Sequence, residues 1–392
     1  MHLTLEQEKM LNGEYGDITA KMMRLLVRIG DIYNAEKMIP VASVQVAGVS
    51  YKSIGDAGLE FLQDVSKEAK VKVLTYLNPA GMDIENWREM GIDEEFAKKQ
   101  IEIINSFKKM GIVISATCTP YLAGNLPRYR QHIAWSESSA VSFANSVIGA
   151  RTNREGGPSA LASAITGYTP YYGLHLDENR EPTIVVKVNT ELKTSTDFAA
   201  MGYYVGREIK KEIPYFKGMK NGADVDDLKE LGAAMAASGA VALYHAENIT
   251  PDADRVSIND LEKIEFGKDE LKETYDRLNT GDEPDIIIFG CPHASLNEII
   301  KIVKILEEKK SKSRKPFWIC TSRAIKEIAE RMEIDRKIEE AGGKIVADTC
   351  MVVSPIENLF ETTAVNSGKA AHYLPGFCKQ KVVFKSMEEL LS

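Results

Sequence analysis

The chain has 392 residues, 44% of them hydrophobic, so it is long enough to form two or three domains with buried cores. Its 57 acidic residues outnumber its 49 basic ones and give a formal net charge of −8, without a run of Lys and Arg that would indicate a nucleic-acid or anionic-membrane partner. No stretch approaches the roughly 18 uninterrupted apolar residues of a membrane span, and the charged start lacks a secretory core, so we expect a cytoplasmic protein.

The first half of the chain alternates between helical and extended patterns. Apolar residues recur at helical spacing across the opening 35 residues and predict helices there. Residues 133–168 are rich in Ser, Ala and Gly, which suits closely packed interior helices and loops. Residues 174–192 predict two strands about a polar turn. Further strands are expected over 42–50, 71–77 and 111–117, and further helices over 54–68 and 93–109.

The C-terminal third repeats one unit, in which a short apolar strand precedes a helix. The strands are PDIIIFG (284–290), PFWIC (316–320) and GGKIVAD (342–348), with helices from about Ser295 and over 323–332. Strands that alternate with helices predict a doubly wound parallel sheet, so the fold class is α/β. We place a domain boundary near residue 210, which gives an N-terminal α/β region (1–210) and a C-terminal one (211–392).

Three of the five cysteines follow the ends of predicted strands. Cys118, Cys291 and Cys350 each lie within about two residues of a strand's carboxyl end, the edge at which open α/β sheets bind ligands. Free cysteine is more often a small core residue, which is our interpretation of Cys378. Cys320 also ends a strand, so position alone does not exclude it. The sequence lacks a CxxC pair, so it does not support a zinc ribbon.

Other candidate functional groups carry weaker signals. His293 and His245 are possible ligands or bases, although a lone histidine is more often structural. The glycine turns at 47–50 and 78–81 follow strands and can present backbone N–H groups to an anion. Lys369 can neutralise a carboxylate or phosphate. None of these features identifies a reaction by itself.

Taken together, the motifs resemble the large subunit of the aconitase X family, most closely its archaeal branch. The resemblance runs from about residue 2 to 385 and rests on VQVAGVSYKSIG, TYLNPAGMD, the block from ATCTPYLAGN at 116 to about 160, YGLHLDENR, FGCPHAS and ADTCMVVSP. It implies an aconitase-like fold, in which several doubly wound parallel-sheet domains surround a central cluster cleft.

The resemblance also implies an iron–sulfur cluster held by Cys118, Cys291 and Cys350, which sets Cys320 aside. Typical aconitases carry a CxxC pair plus a distant cysteine, whereas these three are dispersed. Members of the family carry 4Fe-4S or 2Fe-2S centres, and the archaeal branch indicates 4Fe-4S. The substrate contacts that it implies fall on Gly48, Val49, Ser50, Asn78, Pro79, Ser139, Asn145, Ser146 and Lys369.

The activity implied by the resemblance is that of a hydro-lyase. In the archaeal branch it dehydrates (R)-5-phosphomevalonate to trans-anhydromevalonate 5-phosphate in the mevalonate pathway to isoprenoids. The resemblance further implies that a separate small subunit carries the swivelling domain, which supplies a serine base in aconitases, and the catalytic base is not assigned on this chain. The alternatives are cis-3-hydroxy-L-proline dehydration, a non-catalytic iron–sulfur or zinc protein, and a thiol enzyme with Cys118 as nucleophile.

Overall fold

The computed structural model describes residues 1–219, 222–309 and 312–392. The α-helices in these ranges are α1 (Leu5–Leu11), α2 (Asp17–Ile32), α3 (Tyr51–Val65), α4 (Glu94–Lys109), α5 (Ser138–Phe143), α6 (Gly157–Thr166), α7 (Ser195–Ile209), α8 (Val225–Gly239), α9 (Lys268–Leu278), α10 (Leu296–Lys309), α11 (Arg323–Arg331), α12 (Ile334–Glu340), α13 (Gly368–Cys378) and α14 (Met387–Leu390). The strands are β1 (Met38–Pro40), β2 (Ser43–Val46), β3 (Leu74–Leu77), β4 (Ala134–Trp135), β5 (Tyr168–Pro170), β6 (Ile184–Val188), β7 (Pro214–Lys217), β8 (His245–Ala246), β9 (Glu262–Phe266), β10 (Ile286–Phe289), β11 (Phe317–Thr321), β12 (Gly343–Ala347), β13 (Thr362–Val365) and β14 (Lys381–Phe384).

A three-stranded parallel sheet forms the centre of the N-terminal part, in the order β3-β2-β4. Every residue of β2 is buried, because helices pack around the sheet and their apolar faces complete its core. Helix α4 shows how the sequence sets these helices: Asp93 caps its N-terminus by accepting from Glu95 and Phe96, and its buried residues recur on one face. The predicted helix over 93–109 is confirmed.

The predicted strand over 111–117 is wrong in its detail. Only a single parallel bridge joins Val113 to Tyr76 in that segment. The Ser115 hydroxyl then bonds both the N–H and the C=O of Leu77 at 3.0 Å, and Thr117 N–H donates to the same carbonyl at 2.9 Å. Ala116 adopts a φ of 38°, which an extended strand does not allow. The segment still runs beside β3 and delivers Cys118 to the same edge.

A five-stranded parallel sheet forms the C-terminal part, in the order β12-β11-β10-β13-β14. Strands β10 and β11 are fully buried apolar runs, as expected for a sheet covered on both faces. Ser322 caps helix α11 by accepting from Ile325 N–H. Strands β10, β11 and β12 and helices α10 and α11 lie where the sequence predicts them, so these predictions are confirmed. Strands β13 and β14 complete the sheet beyond the predicted elements.

A third parallel sheet lies between these two in sequence, in the order β8-β7-β6-β9. Its helices α7 and α8 approach so closely at Gly206 and Gly239 that only glycine fits. A Cβ atom on Gly239 would lie 1.9 Å from the Gly206 carbonyl oxygen. Helix α8 also packs against α5 and α13, so it braces elements of both other sheets. The predicted boundary at residue 210 falls between β6 and β7 and stays a prediction.

The segment 174–192 contains one strand, β6, and not the two that were predicted. Residues 173–180 instead form two short 3₁₀ turns. Side chains occupy the main-chain groups that a ladder would use, since Leu174 N–H donates to Asn153 Oδ1 at 2.8 Å and Arg180 Nη1 donates to Leu174 O at 3.2 Å.

The three larger sheets are therefore parallel, and helices connect their strands, which confirms the α/β fold class. The remaining pair, β1 with β5, is antiparallel. Across the described ranges, every helix is too short or too polar to cross a bilayer.

Candidate functional site

The carboxyl ends of two sheets face each other across a cavity of about 210 Å³. Strands β3 and β4 and the segment after Val113 supply one wall, and β10, β12 and the start of α13 supply the other. The walls are joined where Ala80 pairs with Thr349 in a parallel bridge. The cavity is lined by Asn78, Pro79, Cys118, Glu137, Ser138, Gly290, Cys291, His293, Cys350, Val352, Val353, Lys369, Tyr373 and Phe377.

Three cysteines meet in this cavity: Cys291 and Cys350 follow strands β10 and β12, and Cys118 follows the segment that runs beside β3. Cys118 accepts a hydrogen bond from the backbone N–H of His293 at 3.1 Å, which links the two walls. Cys291 lies shortly after β10 and is joined to Pro292 by a cis peptide bond, and its carbonyl accepts from the Ser367 hydroxyl. Cys350 follows β12, and its N–H donates to Ala80 O at 3.0 Å. The structure therefore brings the three predicted ligands together.

The two other cysteines lie elsewhere. Cys320 is fully buried within β11, and Cys378 ends α13, where its sulfur lies 3.4 Å from Lys52 Nζ. Neither lines the cavity. Their burial agrees with the interpretation of both as core thiols.

The chemistry of the three thiols fits a soft metal centre. Burial raises the pKa of Cys118 to about 12 and raises the pKa values of Cys291 and Cys350, while the positive charge of Lys369 opposes the rise. Thiolates here therefore need a bound cation as well as the lysine. Among the described residues, no three His, Cys, Asp or Glu side chains lie close enough together to hold a single metal ion. A cluster does not require that, because each sulfur binds a different iron.

Lys369 places a buried ammonium group beside the thiols. It lies in the first turn of α13, which follows β13, and its side chain is 9% exposed. Its Nζ donates to Glu137 Oε1 and lies 3.2 Å from Ser139 Oγ. Asn78 Nδ2 donates to the other oxygen of Glu137 at 2.7 Å. The Glu137 carboxylate thus links Asn78 on one wall to Lys369 on the other, and both are predicted substrate residues.

The pair is ionised in the folded chain. Burial alone would raise the pKa of Glu137, but the charge of Lys369 and the hydrogen bonds from Lys369 and Asn78 outweigh it and hold the pKa at about 2. The pKa of Lys369 stays well above its ordinary value despite burial, because Glu137 lies against it. At neutral pH the cavity therefore holds a charged ammonium group beside a charged carboxylate.

His293 is a buried structural histidine that also lines the cavity. Its Nε2 lies 2.8 Å from Thr349 O, which can only accept, so Nε2 carries the proton. Its Nδ1 lies 3.0 Å from Thr117 Oγ1, whose hydroxyl then donates to it. Burial lowers the pKa of His293 to about 4, so the ring is neutral and both nitrogens are engaged.

The predicted turn at Gly48, Val49 and Ser50 lies next to the cavity wall. Ser50 Oγ donates to the carbonyl of Val353, a lining residue, at 2.6 Å and caps helix α3. Gly48 has a φ of 80°, which favours glycine. Within the described residues, the backbone N–H groups of positions 48–50 have no hydrogen-bond acceptor. They are available to an anion at the start of helix α3, which is interrupted by a kink at Gly55, where φ is 58°.

Two predicted substrate residues lie away from the cavity lining. Asn145 Nδ2 donates to the carbonyls of Thr152 and Ala242, and its Oδ1 accepts from Thr152 N–H and from Arg180. Ser146 Oγ accepts from Tyr244 N–H at 2.9 Å. These contacts use the full hydrogen-bonding capacity of the amide in holding loops together. A substrate contact for either residue stays a prediction.

Sequence reasoning missed Glu137, the acid on which the lysine depends. The available signal was compositional, because Glu137 is the one acid in the otherwise small and apolar run IAWSESSAVSFAN. An isolated charge in a segment that is expected to be interior needs a partner. The aromatic residues Tyr373 and Phe377 were also missed, and Phe377 is 58% exposed at the cavity rim.

Parallel α/β sheets whose carboxyl edges face each other across a thiol-lined cavity define an aconitase-like protein. The chain belongs to the aconitase X family, whose first, second and third domains match residues 1–178, 182–276 and 284–392. Proteins of the aconitase-like class generally bind an iron–sulfur cluster.

Several known proteins are similar over the whole chain. The phosphomevalonate dehydratase large subunit of Methanocaldococcus jannaschii is 58% identical, and the match covers 100% of this chain and 99% of that one. The crystal structure of Thermococcus kodakaraensis aconitase X in its holo-form superposes with a TM-score of 0.94 at 48% identity, covering 100% and 99% of the two chains. The cis-3-hydroxy-L-proline dehydratase of Pseudomonas aeruginosa is 30% identical over 97% of this chain and 67% of its own length.

We predict that the ion pair between Glu137 and Lys369 contributes stability that is lost in acid. The Glu137 pKa is about 2 in the folded chain against 4.5 for an ordinary glutamate, so the contribution is complete above pH 4.5 and is lost as the pH falls toward 2. Over this interval the wild-type free energy of unfolding should fall by up to about 3 kcal/mol relative to a Glu137→Gln/Lys369→Met variant. Urea unfolding across this range measures the difference, and a difference that stays constant with pH would contradict the pairing.

Proposed function

We propose that this chain is the large subunit of a hydro-lyase that dehydrates (R)-5-phosphomevalonate to trans-anhydromevalonate 5-phosphate. The observation that carries the proposal is the cavity, which combines three thiols with the buried ammonium of Lys369. The near-complete mutual coverage with a phosphomevalonate dehydratase large subunit at 58% identity supports this substrate. The hydroxyproline enzyme has less support, at 30% identity and with a third of its length unmatched.

We assign the cluster to Cys118, Cys291 and Cys350, with 4Fe-4S as the preferred type. Three protein thiolates hold three irons of a cubane and leave the fourth without a protein ligand. When bound, such a cluster supplies Lewis-acid chemistry for the departure of a hydroxyl group. The thiols are in place for this role because β10, β12 and the segment beside β3 fix their backbones.

Lys369 is suited to hold the substrate carboxylate. Removing a proton next to a carboxylate places further negative charge on it, so a fixed positive charge stabilises the transition state. The cavity excludes most water from the ammonium, which strengthens its effect on charge that develops nearby. Glu137, with Asn78 and Ser139, orients the lysine. Glu137 therefore acts as a positioning residue.

The turn at 48–50 is suited to hold the substrate phosphate. Its backbone N–H groups have no acceptor within the described part of the chain, and they lie at the start of the first turn of α3, before the kink at Gly55. The hydrogen bond between Ser50 and Val353 joins the turn to a residue that lines the cavity. A substrate with a carboxylate at one end and a phosphate at the other would then extend from Lys369 toward this turn.

The proton-accepting base is assigned to a partner chain. Glu137 and His293 are the lining groups whose ordinary pKa values suit a base near neutral pH, but Glu137 is bound to Lys369 and both ring nitrogens of His293 are engaged. The related archaeal chains are named large subunits, which implies a second chain. We assign that chain as a small subunit that carries a swivelling domain and closes over the exposed rim at Phe377.

The ligand assignment predicts that Cys118→Ala loses iron and that Cys320→Ala does not. Both substitutions remove one buried thiol of the same size, but only Cys118 lines the cavity. Iron bound after anaerobic reconstitution should fall sharply in the first variant and remain at the wild-type level in the second. Full iron content in Cys118→Ala would remove this residue from the ligand set.

The activity is tested with the reconstituted chain, with and without its small partner. Dehydration of 5-phosphomevalonate that requires both chains, with no dehydration of cis-3-hydroxy-L-proline, is the expected result. Turnover of hydroxyproline in place of phosphomevalonate would overturn the substrate. An absence of turnover on both, with iron bound and the partner present, would overturn this dehydratase assignment.

A further inference from the structure

A second cavity, of about 170 Å³, opens on another part of the surface and is lined mainly by charged side chains. None of its lining residues lines the thiol cavity. Four guanidinium groups face three carboxylates there, which leaves an excess of one positive charge. The residues that carry the argument are Arg130, Arg151, Arg180, Arg255, Asp177 and Asp252.

Two of the guanidinium groups are buried and share one buried carboxylate. Arg151 and Arg180 are 4% and 2% exposed, and Asp252 is 7% exposed. Asp252 Oδ2 accepts from Arg151 Nη1 at 3.0 Å and lies 3.4 Å from Arg180 Nη2. A buried positive charge without full compensation costs free energy, and a bound anion would remove that cost.

Arg180 keeps one donor without an acceptor. Its Nη1 donates to Asn145 Oδ1 and Leu174 O, and its Nη2 donates to Asn145 O at 2.8 Å. Its Nε–H is buried and finds no partner among the described residues. Burial, followed by the charge of Arg151, lowers the pKa of Arg180 to about 10, which reflects how poorly its charge is compensated.

The two other arginines stand at the mouth of the cavity. Arg130 pairs with Asp177, which also accepts from Arg151 at 3.2 Å. Arg255 lies over the Tyr129 ring at 5.8 Å and forms no ion pair within the described residues. Its guanidinium donors are therefore available to a ligand that enters the cavity.

A pair of histidines also lies near this cavity. The Nδ1 atoms of His132 and His175 lie 3.0 Å apart, and Nε2 of His175 is buried with no partner in the described part of the chain. Burial and the neighbouring arginines lower the pKa values of both rings, that of His175 to about 3. Burial is the larger cause, so both rings are neutral at neutral pH, and the arginines are the charged groups that face them.

We propose that this arginine cavity is a phosphate-binding site separate from the catalytic one. Guanidinium groups match phosphate oxygens in pairs. The mouth arginines and the Nε–H of Arg180 can contribute donors, whereas Arg151 already donates to Asp177, Asp252 and the carbonyl of Gly149. The volume is below the range of about 300–1,000 Å³ that encloses a drug-sized ligand. It suits a phosphate group alone, either inorganic phosphate or the phosphate of a monoester whose carbon chain stays outside.

The site also contacts the helical segment that leads from the catalytic cavity. Arg180 binds the main chain and side chain of Asn145, seven residues after Ser138, which lines the thiol cavity. Seven residues of helix span roughly 10 Å, so the two cavities lie at opposite ends of one helical segment. The proposal does not depend on the dehydratase assignment, because none of its residues takes part in that reaction.

Calorimetric titration of the full chain with inorganic phosphate, at fixed ionic strength, tests the proposal. We expect saturable binding that Arg130→Gln/Arg255→Gln weakens about tenfold or more, since charge-assisted hydrogen bonds are lost. Arg255→Gln alone removes a side chain with no carboxylate partner and should weaken binding without harming the fold. Arg128→Gln, an exposed neighbour outside the cavity, is the matched control and should leave the affinity unchanged.

The outcomes separate the site from other phosphate contacts. Phosphate held at the 48–50 turn would be insensitive to Arg130 and Arg255, so an unchanged affinity in the double variant would overturn the proposal. An absence of saturable binding would overturn it as well. Glycerol 3-phosphate, titrated in parallel, distinguishes the source: tighter binding than inorganic phosphate indicates an organic monoester, and equal binding indicates free phosphate.

Discussion

A lysine ammonium that stays charged inside a mostly buried cavity is the constraint on which the rest of the site depends. An unpaired buried ammonium would lose its proton, so a carboxylate has to lie against it. Glu137 supplies that carboxylate from the opposite wall, and Asn78 holds the carboxylate in turn. The pair therefore fixes the distance between two sheets as well as the charge of the cavity.

The architecture serves this pairing by setting two parallel sheets edge to edge. Short loops after parallel strands carry the thiols and the acid, so rigid backbone elements fix their positions. The bridge between Ala80 and Thr349 closes the junction, and α8 braces it from behind by packing against both α5 and α13. The arginine cavity lies at the far end of the segment that begins with α5, so two anion-attracting regions flank one helical segment.

Much of this arrangement can be predicted from the sequence because it follows from local patterns. Fully apolar runs mark β10 and β11, and the placement of cysteines after strands predicts that they share an edge. Hydrogen bonds and ion pairs between side chains and groups far away in the sequence could not be predicted in this way. The Ser115 hydroxyl accepts from the Leu77 N–H in place of a main-chain carbonyl, and the partner of Glu137 is set only when α13 packs against it.

The role of the buried charge is tested most directly by the turnover and iron content of Lys369→Met, assayed with the small partner on 5-phosphomevalonate. Lys385→Met, an exposed lysine outside the cavity, is the control. The account predicts that Lys369→Met retains its iron and loses turnover by at least about 100-fold, because the positive charge acts on the transition state. Turnover within about twofold of the control, at equal iron content, would contradict it.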